Sequence, residues 1–186
     1  MLAGPFAGCI LAYYGAEVIK VEPPGDGDPL RRWRVLDDDG TSYWWRSLGR
    51  NKKCITADLR REEGQDLVRQ LAGQCQVLLE NFRPGVMERL GLGPDDCMRR
   101  NSRLVYGRMT GWGQDGPYAM TAGHDINYMA LAGVLAHVGR RNERPVPPLN
   151  LVADFGGGGM LLAMGICAAL LAARTAGRGR RARGPP

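Results

Sequence analysis

Four short runs rich in β-branched and aliphatic residues recur along the chain: Ala16–Glu22 (AEVIKVE), Lys52–Leu59 (KKCITADL), Gln76–Glu80 (QVLLE) and Arg103–Met109 (RLVYGRM). Each has the length and composition of a buried strand. Between the second and third, Glu62–Ala72 places Leu67, Val68 and Leu71 on one helical face. Strands alternating with helices at this spacing leave few architectures open. They predict an α/β fold with an open, largely parallel sheet built from Rossmann-like βαβ units. Smaller pieces fit around that frame: a helical turn or two at Cys9–Tyr14, a short helix at Val86–Leu90 after Arg83-Pro84-Gly85, and another opened by Pro94. The segment Leu30–Ser47, with Trp33, Trp44 and Trp45, has no clear period and reads as irregular cover for the sheet. Glu22 ends the first strand without a preceding G-x-G-x-x-G, so it reads as a surface strand end rather than a ribose contact. Gly111–Pro117 is a glycine-rich loop after the fourth strand, where ligands of open α/β sheets tend to sit.

With 186 residues the chain can hold one domain with a substantial core, or one domain and a fragment of another. Its net charge of +6 invites a nucleic-acid reading, but residues 174–186 hold five arginines and no acid. The remainder carries 20 basic and 19 acidic groups, so the body is near neutral and no nucleic-acid partner is expected. Five cysteines, scattered and without a C-x-x-C pair, argue against a disulfide framework and against a zinc site. No signal peptide is expected, because Met1-Leu2-Ala3-Gly4 lacks a basic start. Phe155–Ala173 is apolar throughout but opens with four glycines. Without them fourteen residues remain, short of the roughly 20 a membrane span needs, which predicts a buried core helix and no span. These features point to a cytoplasmic protein, with mitochondrial or peroxisomal placement as alternatives; Gly184-Pro185-Pro186 is not an S-K-L signal.

The chemistry concentrates between Gly123 and Met160. The stretch opens with Gly123-His124-Asp125-Ile126-Asn127-Tyr128 and closes with Asp154-Phe155 and Gly156–Gly159. An imidazole and a carboxylate are the side chains that move protons near neutral pH. Glycines allow a ligand to approach the backbone closely. His124 and Asp154 are therefore expected to flank a reacting carbon. Each also has a plainer reading: His124 as a hydrogen-bonded structural residue, Asp154 as a helix N-cap. The glycine run is no Walker loop, since no Gly-Lys-Ser/Thr follows. His137, in an apolar stretch, is left structural.

The runs GHDINYMALAGVL, PPLNLVADFGGG, RMTGWGQDGP, LLENFRPGVMERLGLGP and GAEVIKVEPPG together resemble the class III CoA-transferase family, which includes L-carnitine dehydratase and bile-acid-inducible protein F. Within it, GHDINY is similar to the α-methylacyl-CoA racemase branch. The resemblance implies an acyl-CoA thioester as substrate and its inversion at the 2-methyl centre, with His124 and Asp154 as the acid–base pair. It implies no metal and no cofactor beyond the coenzyme A carried on the substrate. Arg83 and Arg89 are implied as CoA contacts, Ala57, Asp58, Leu59 and Arg60 as the adenine-lining segment, and Gly123, Asp125, Asn127 and Tyr128 as the substrate side of the GHDINY motif. Lys52 and Lys53 are weaker candidates. The enolate oxygen would lie on free N–H groups near Asp125 or at the start of a Gly156–Ala173 helix. One departure favours the alternative: Pro23 follows Glu22 where racemases tend to show V-D-R-P, which leans toward a CoA transferase forming an anhydride at Asp154. A third reading, from another class, is an inactive fragment or arginine-tailed binding protein. The resemblance also implies interlocked homodimers and a chain cut at both ends. On that reading residues 1–179 are a partial CoA-binding large domain without its small domain, 180–186 are a basic, disordered tail, and the chain alone is expected to be inactive.

Overall fold

The computed structural model describes residues 2–33 and 35–183. Its first helix, α1 (Ala3–Tyr13), begins earlier than the sequence suggests and takes Pro5 into its first turn. Proline is tolerated there because the N–H it lacks would have no helical acceptor. Strand β1 (Val18–Glu22) follows, then a 3₁₀ turn at Pro29–Arg32 and helix α2 (Tyr43–Gly49). The region expected to be irregular is thus partly helical. Ser42 caps α2 by accepting from Trp44 N at 3.2 Å. Trp45 and Leu48, three apart, turn inward to meet Leu30. Trp45 carries Lys20 Nζ at 3.9 Å and the Arg31 guanidinium at 4.0 Å over its ring. Glu22 is not at the surface as expected: it is buried, with Arg31 Nε donating to its carboxylate at 2.7 Å.

Strand β2 (Lys52–Thr56) stops three residues short of expectation, and its end turns through Asp58, which accepts from Arg60 N at 3.1 Å. Helix α3 (Glu62–Gln74), strand β3 (Val77–Glu80), helices α4 (Val86–Arg89) and α5 (Pro94–Arg100), and strand β4 (Val105–Arg108) complete the alternation. The fold class is α/β with parallel pairing between the named strands, but these form two ladders, β1–β2 and β3–β4–β5, rather than one open sheet. Strand β5 is Arg180–Arg183, expected to be a disordered tail; it pairs parallel with β4 from Val105↔Arg180 to Arg108↔Arg183. Ladder bonds are backbone bonds and do not exclude arginine. Alternation turns Ala182 onto the cluster of Val105, Ala169 and Ala173, while Arg181 reaches out to Asp95. Residues 184–186 of the expected tail lie outside the described residues.

Alternation also explains the core. Val77 and Leu79 of β3 face Ala7 of α1 and Leu162, Ala163 and Ile166 of the last helix. Leu78, between them, faces Ala72 of α3, Cys97 of α5 and Tyr106. All four β4 residues are buried, which makes β4 the centre of its ladder. Helix α6 (Asp125–Leu131) and a 3₁₀ turn at Val134–His137 precede the last helical stretch, a π-helix at Leu151–Met160 that runs straight into α7 (Leu161–Ala176).

Together the π-helix and α7 make 26 continuous residues, longer than the fourteen-residue helix expected, and an 18-residue window within them has a mean hydropathy of 1.9. Length and composition would let such a helix cross a membrane; here its buried face packs on α1, β3 and β4 as a helix covering a sheet. A ten-residue π-helix is rare, and the glycines make it possible. A Cβ at Gly156 would fall 3.2 Å from Leu151 O, and one at Gly157 3.1 Å from Val152 O. Gly158 and Gly159 admit α1 instead of a ligand. A Cβ at Gly159 would stand 2.6 Å from Phe6 Cδ1 and 3.0 Å from Ala3 O. The close approach that the glycine run was expected to give a ligand is, in its second half, given to a neighbouring helix.

Candidate active site

The GHDINY segment and the π-helix meet through one carboxylate. Asp125, the first residue of α6, is 3% exposed, and its Oδ2 accepts from Ala153 N at 2.6 Å and Asp154 N at 2.8 Å. Those two amides belong to the first turn of the π-helix, whose donors lack helical acceptors. Asp125 therefore does the capping that the plainer reading gave to Asp154. Asp154 itself sits within the helix, half-buried. The start of a helix at Gly156, one of two places considered for an enolate oxygen, does not exist as such, because the helix is already running there and Asp125 takes two of its leading amides. The N–H of Asp125 lies in the first turn of α6 and has no acceptor among the described residues.

Electrostatics follow from this packing. Burial raises the Asp154 carboxyl above the ordinary aspartate range, the Asp125 charge raises it further, and the His124 imidazole pulls part of the way back. His124 is exposed at the N-cap of α6, and Asn127 Oδ1 accepts from its backbone N–H at 3.0 Å. Burial, and then the Asp154 charge, raise the hydroxyl of Tyr128, one turn on. Its ring is held edge-on against Trp112, centroids 4.8 Å apart, and Trp112 in turn packs on Tyr118 at 5.4 Å. Gly111 and Gly123 make room for these rings: a Cβ at Gly123 would lie 2.7 Å from Tyr128 Cε1 and 2.9 Å from Trp112 Cε2, and one at Gly111 would overlap the Tyr128 hydroxyl. A pocket of about 320 Å³ opens beside them, lined by Trp112, Tyr118, Thr121 and Ala122 of the loop and by Asn127, Ala130 and Leu131 of α6. Neither His124 nor Asp154 lines it.

The structure thus brings His124, Asp125, Tyr128 and Asp154 together, with Gly123 and Asn127 shaping the turn. The other expected contacts stand at strand ends. Ala57 is buried and donates to Glu22 O at 2.9 Å, Leu59 packs toward Val68, Met87 and Leu92, and Arg60 is held by Asp58 through bonds of 2.9 and 3.0 Å. Arg83 and Arg89 are exposed and make no ion pair among the described residues. The weaker candidates are engaged. Lys52 Nζ donates to Pro5 O at 2.6 Å, burial pushing its ammonium down to about 8, and Lys53 pairs with Glu17 at 3.1 Å.

Sequence reasoning passed over three residues that shape this region. Arg108, at the end of β4, donates through Nε to Glu80 at 2.9 Å and through both Nη atoms to Glu88 at 2.8 and 3.1 Å. It thereby fixes α4, and with it Arg89, to the strand that leads into the Gly111–Pro117 loop. An arginine closing an otherwise apolar strand run was the available signal. If the unpaired guanidinium groups of Arg83 and Arg89 hold coenzyme A, as the resemblance implies, Arg83→Ala and Arg89→Ala should each weaken binding of free coenzyme A by about 1.5–3 kcal/mol, the scale of a hydrogen bond to a charged group. Calorimetric titration giving unchanged affinity for both would take these arginines out of the site.

The sequence model of CoA-transferase family III matches residues 1–184. Among curated relatives, the alpha-methylacyl-CoA racemase of Mus musculus is 44% identical over 177 residues, 95% of this chain and 42% of that protein. The succinyl-CoA–D-citramalate CoA-transferase of Chloroflexus aurantiacus is 49% identical over 144 residues, 77% of this chain and 36% of its own. Among solved structures, a CAIB/BAIF family protein from Brucella suis superposes with a TM-score of 0.89 at 35% identity, covering 97% of this chain and 48% of that one. The chain spans less than half the length of each of these relatives.

Proposed function

The chain belongs to CoA-transferase family III, and from that premise we propose that it acts as an acyl-CoA racemase, inverting the 2-methyl centre of a 2-methylacyl-CoA thioester by two-base proton transfer. One of His124 and Asp154 removes the α-proton, and the electron pair moves onto the thioester carbonyl as an enolate. The other returns a proton to the opposite face, and the thioester bond is untouched throughout. The roles exchange with the handedness of the substrate. The observation that supports this reading most is the raised Asp154 carboxyl. Burial and the Asp125 charge raise it, the direction that helps a carboxyl both take and return a proton. We assign the enolate oxygen to the free N–H of Asp125, and the phosphates of coenzyme A to Arg83 and Arg89.

A second reading has its own support in the 49% identity to a CoA-transferase. There Asp154 attacks the thioester carbonyl, the CoA thiolate leaves, and a mixed anhydride remains on the aspartate. Incubation of a full-length version of this chain with a single enantiomer of a 2-methylacyl-CoA in deuterated buffer separates the two. Racemisation should collapse the methyl doublet in the proton NMR spectrum as deuterium enters the α-position, with no acceptor present. If the doublet persists while CoA passes to an added free carboxylate, the transferase reading replaces the first.

A further inference from the structure

We infer that Asp125 is the positioning residue that brackets the two proton-transfer groups: its buried carboxylate, on the helix opened by His124, holds the amides of Ala153 and Asp154 and so sets where Asp154 stands. The inference rests on the reading of His124 and Asp154 as the acid–base pair, while the hydrogen bonds themselves do not. Two carboxylates packed this closely repel, and a fold keeps such an arrangement only if something holds both. What holds Asp125 is the pair of amides at 2.6 and 2.8 Å on Oδ2. Its other oxygen, Oδ1, is buried and has no hydrogen-bond partner among the described residues. A carboxylate can accept at both oxygens, and here the two amides take only one of them.

From α6, the ionisable groups that act on Asp154 are His124, Asp125 and Tyr128. Helix α1, packed on the π-helix through Phe6 and Ala3, has no charged side chain, and the only one in α7 is Arg174 in its last turn. Asp125 thus has two separable effects on its neighbour, a geometric one through the amides and an electrostatic one through its charge. Glutamate at this position would be one methylene too long for the first, and asparagine would keep the acceptor while losing the second.

The test uses the full chain and reads Asp154 directly. Carboxyl carbon NMR should give an Asp154 titration midpoint that falls by about one unit in Asp125→Asn, the scale of one close like charge. Hydrogen exchange at the Ala153 and Asp154 amides should stay within about threefold of wild type in Asp125→Asn and speed up at least about tenfold in Asp125→Ala. A residue that merely supports the fold would lower the melting temperature and leave the Asp154 midpoint of Asp125→Asn where it was; that outcome overturns the inference. Unchanged amide exchange in Asp125→Ala overturns it too, and should that variant fail to fold, the asparagine titration decides alone. Wild-type protein that exchanges no α-proton but shows these shifts would remove the racemase reading and leave the bracket standing.

Discussion

Replacing Arg108 with methionine is expected to lower the free energy of unfolding at pH 7 by about 3–5 kcal/mol, the range seen when one partner of a buried ion pair is removed. Methionine fills much of the volume, so the loss is electrostatic. The Glu80 side chain is 3% exposed and would keep only the Phe82 N–H at 2.8 Å as a donor. Glu88, at 43% side-chain exposure, can turn to water and contributes little. The pH dependence gives the sharper signature. Burial already holds the Glu80 carboxyl above its ordinary value of 4.5, even with Arg108 beside it, and removing the guanidinium raises it further. A carboxyl whose folded pKa is raised favours the fold below the unfolded value and loses that contribution as pH rises through the folded one. The deficit of Arg108→Met should therefore be complete at pH 7 and shrink as pH falls toward 4.5. Urea unfolding that shows the same deficit at pH 7 and pH 5, or one below about 1 kcal/mol, would contradict the account. Adding Glu80→Gln should return part of the loss at pH 7 and little at low pH.

Under the proposed reaction, removing the two bases one at a time should separate the two faces of the substrate. Asp154→Asn and His124→Asn are each expected to lower interconversion of enantiomers by about 10²–10⁴-fold, the usual worth of a placed general base. Each variant should still exchange the α-hydrogen of the one enantiomer whose proton faces the surviving base. The two variants should wash deuterium into opposite enantiomers. Loss of exchange with both enantiomers in both variants would mean that the groups act as one unit, and not on opposite faces. Transfer of CoA surviving in His124→Asn but lost in Asp154→Asn is the pattern required by the anhydride chemistry.

The parallel α/β character was legible because β-branched runs and helical periodicity are local properties. What escaped depended on contacts distant in sequence. The division into two ladders is a matter of which strand ends meet, and no strand's own residues state it. Helix α2 was hidden by tryptophans and arginines with no periodic apolar face, though Ser42 as a cap with Trp45 and Leu48 three apart could have found it. Strand β5 was hidden because arginine suggests solvent, whereas its pairing with β4 is made by backbone groups. In the site, the motifs identified His124 and Asp154 as worth watching. They did not show that Asp125 turns inward to cap the π-helix, since a polar side chain next to a helix start reads equally well as exposed. The glycine run was read for its freedom toward a ligand, while half of it serves the contact with Phe6 and Ala3.

The pairing of β4 with β5 joins Val105 to Arg180, positions 75 apart in the chain. Closing a loop of that length costs entropy before the contacts it allows are made, which slows the step relative to hairpins and adjacent helices. Until it closes, the most buried strand of the molecule has one edge with unpaired amides and carbonyls, flanked by the apolar face of α7. An open edge beside exposed aliphatic surface is the usual template for association between partly folded chains. The arginines of β5 therefore sit where charge helps most during folding: they cover the open edge of β4 with a strand too basic to recruit another copy of itself.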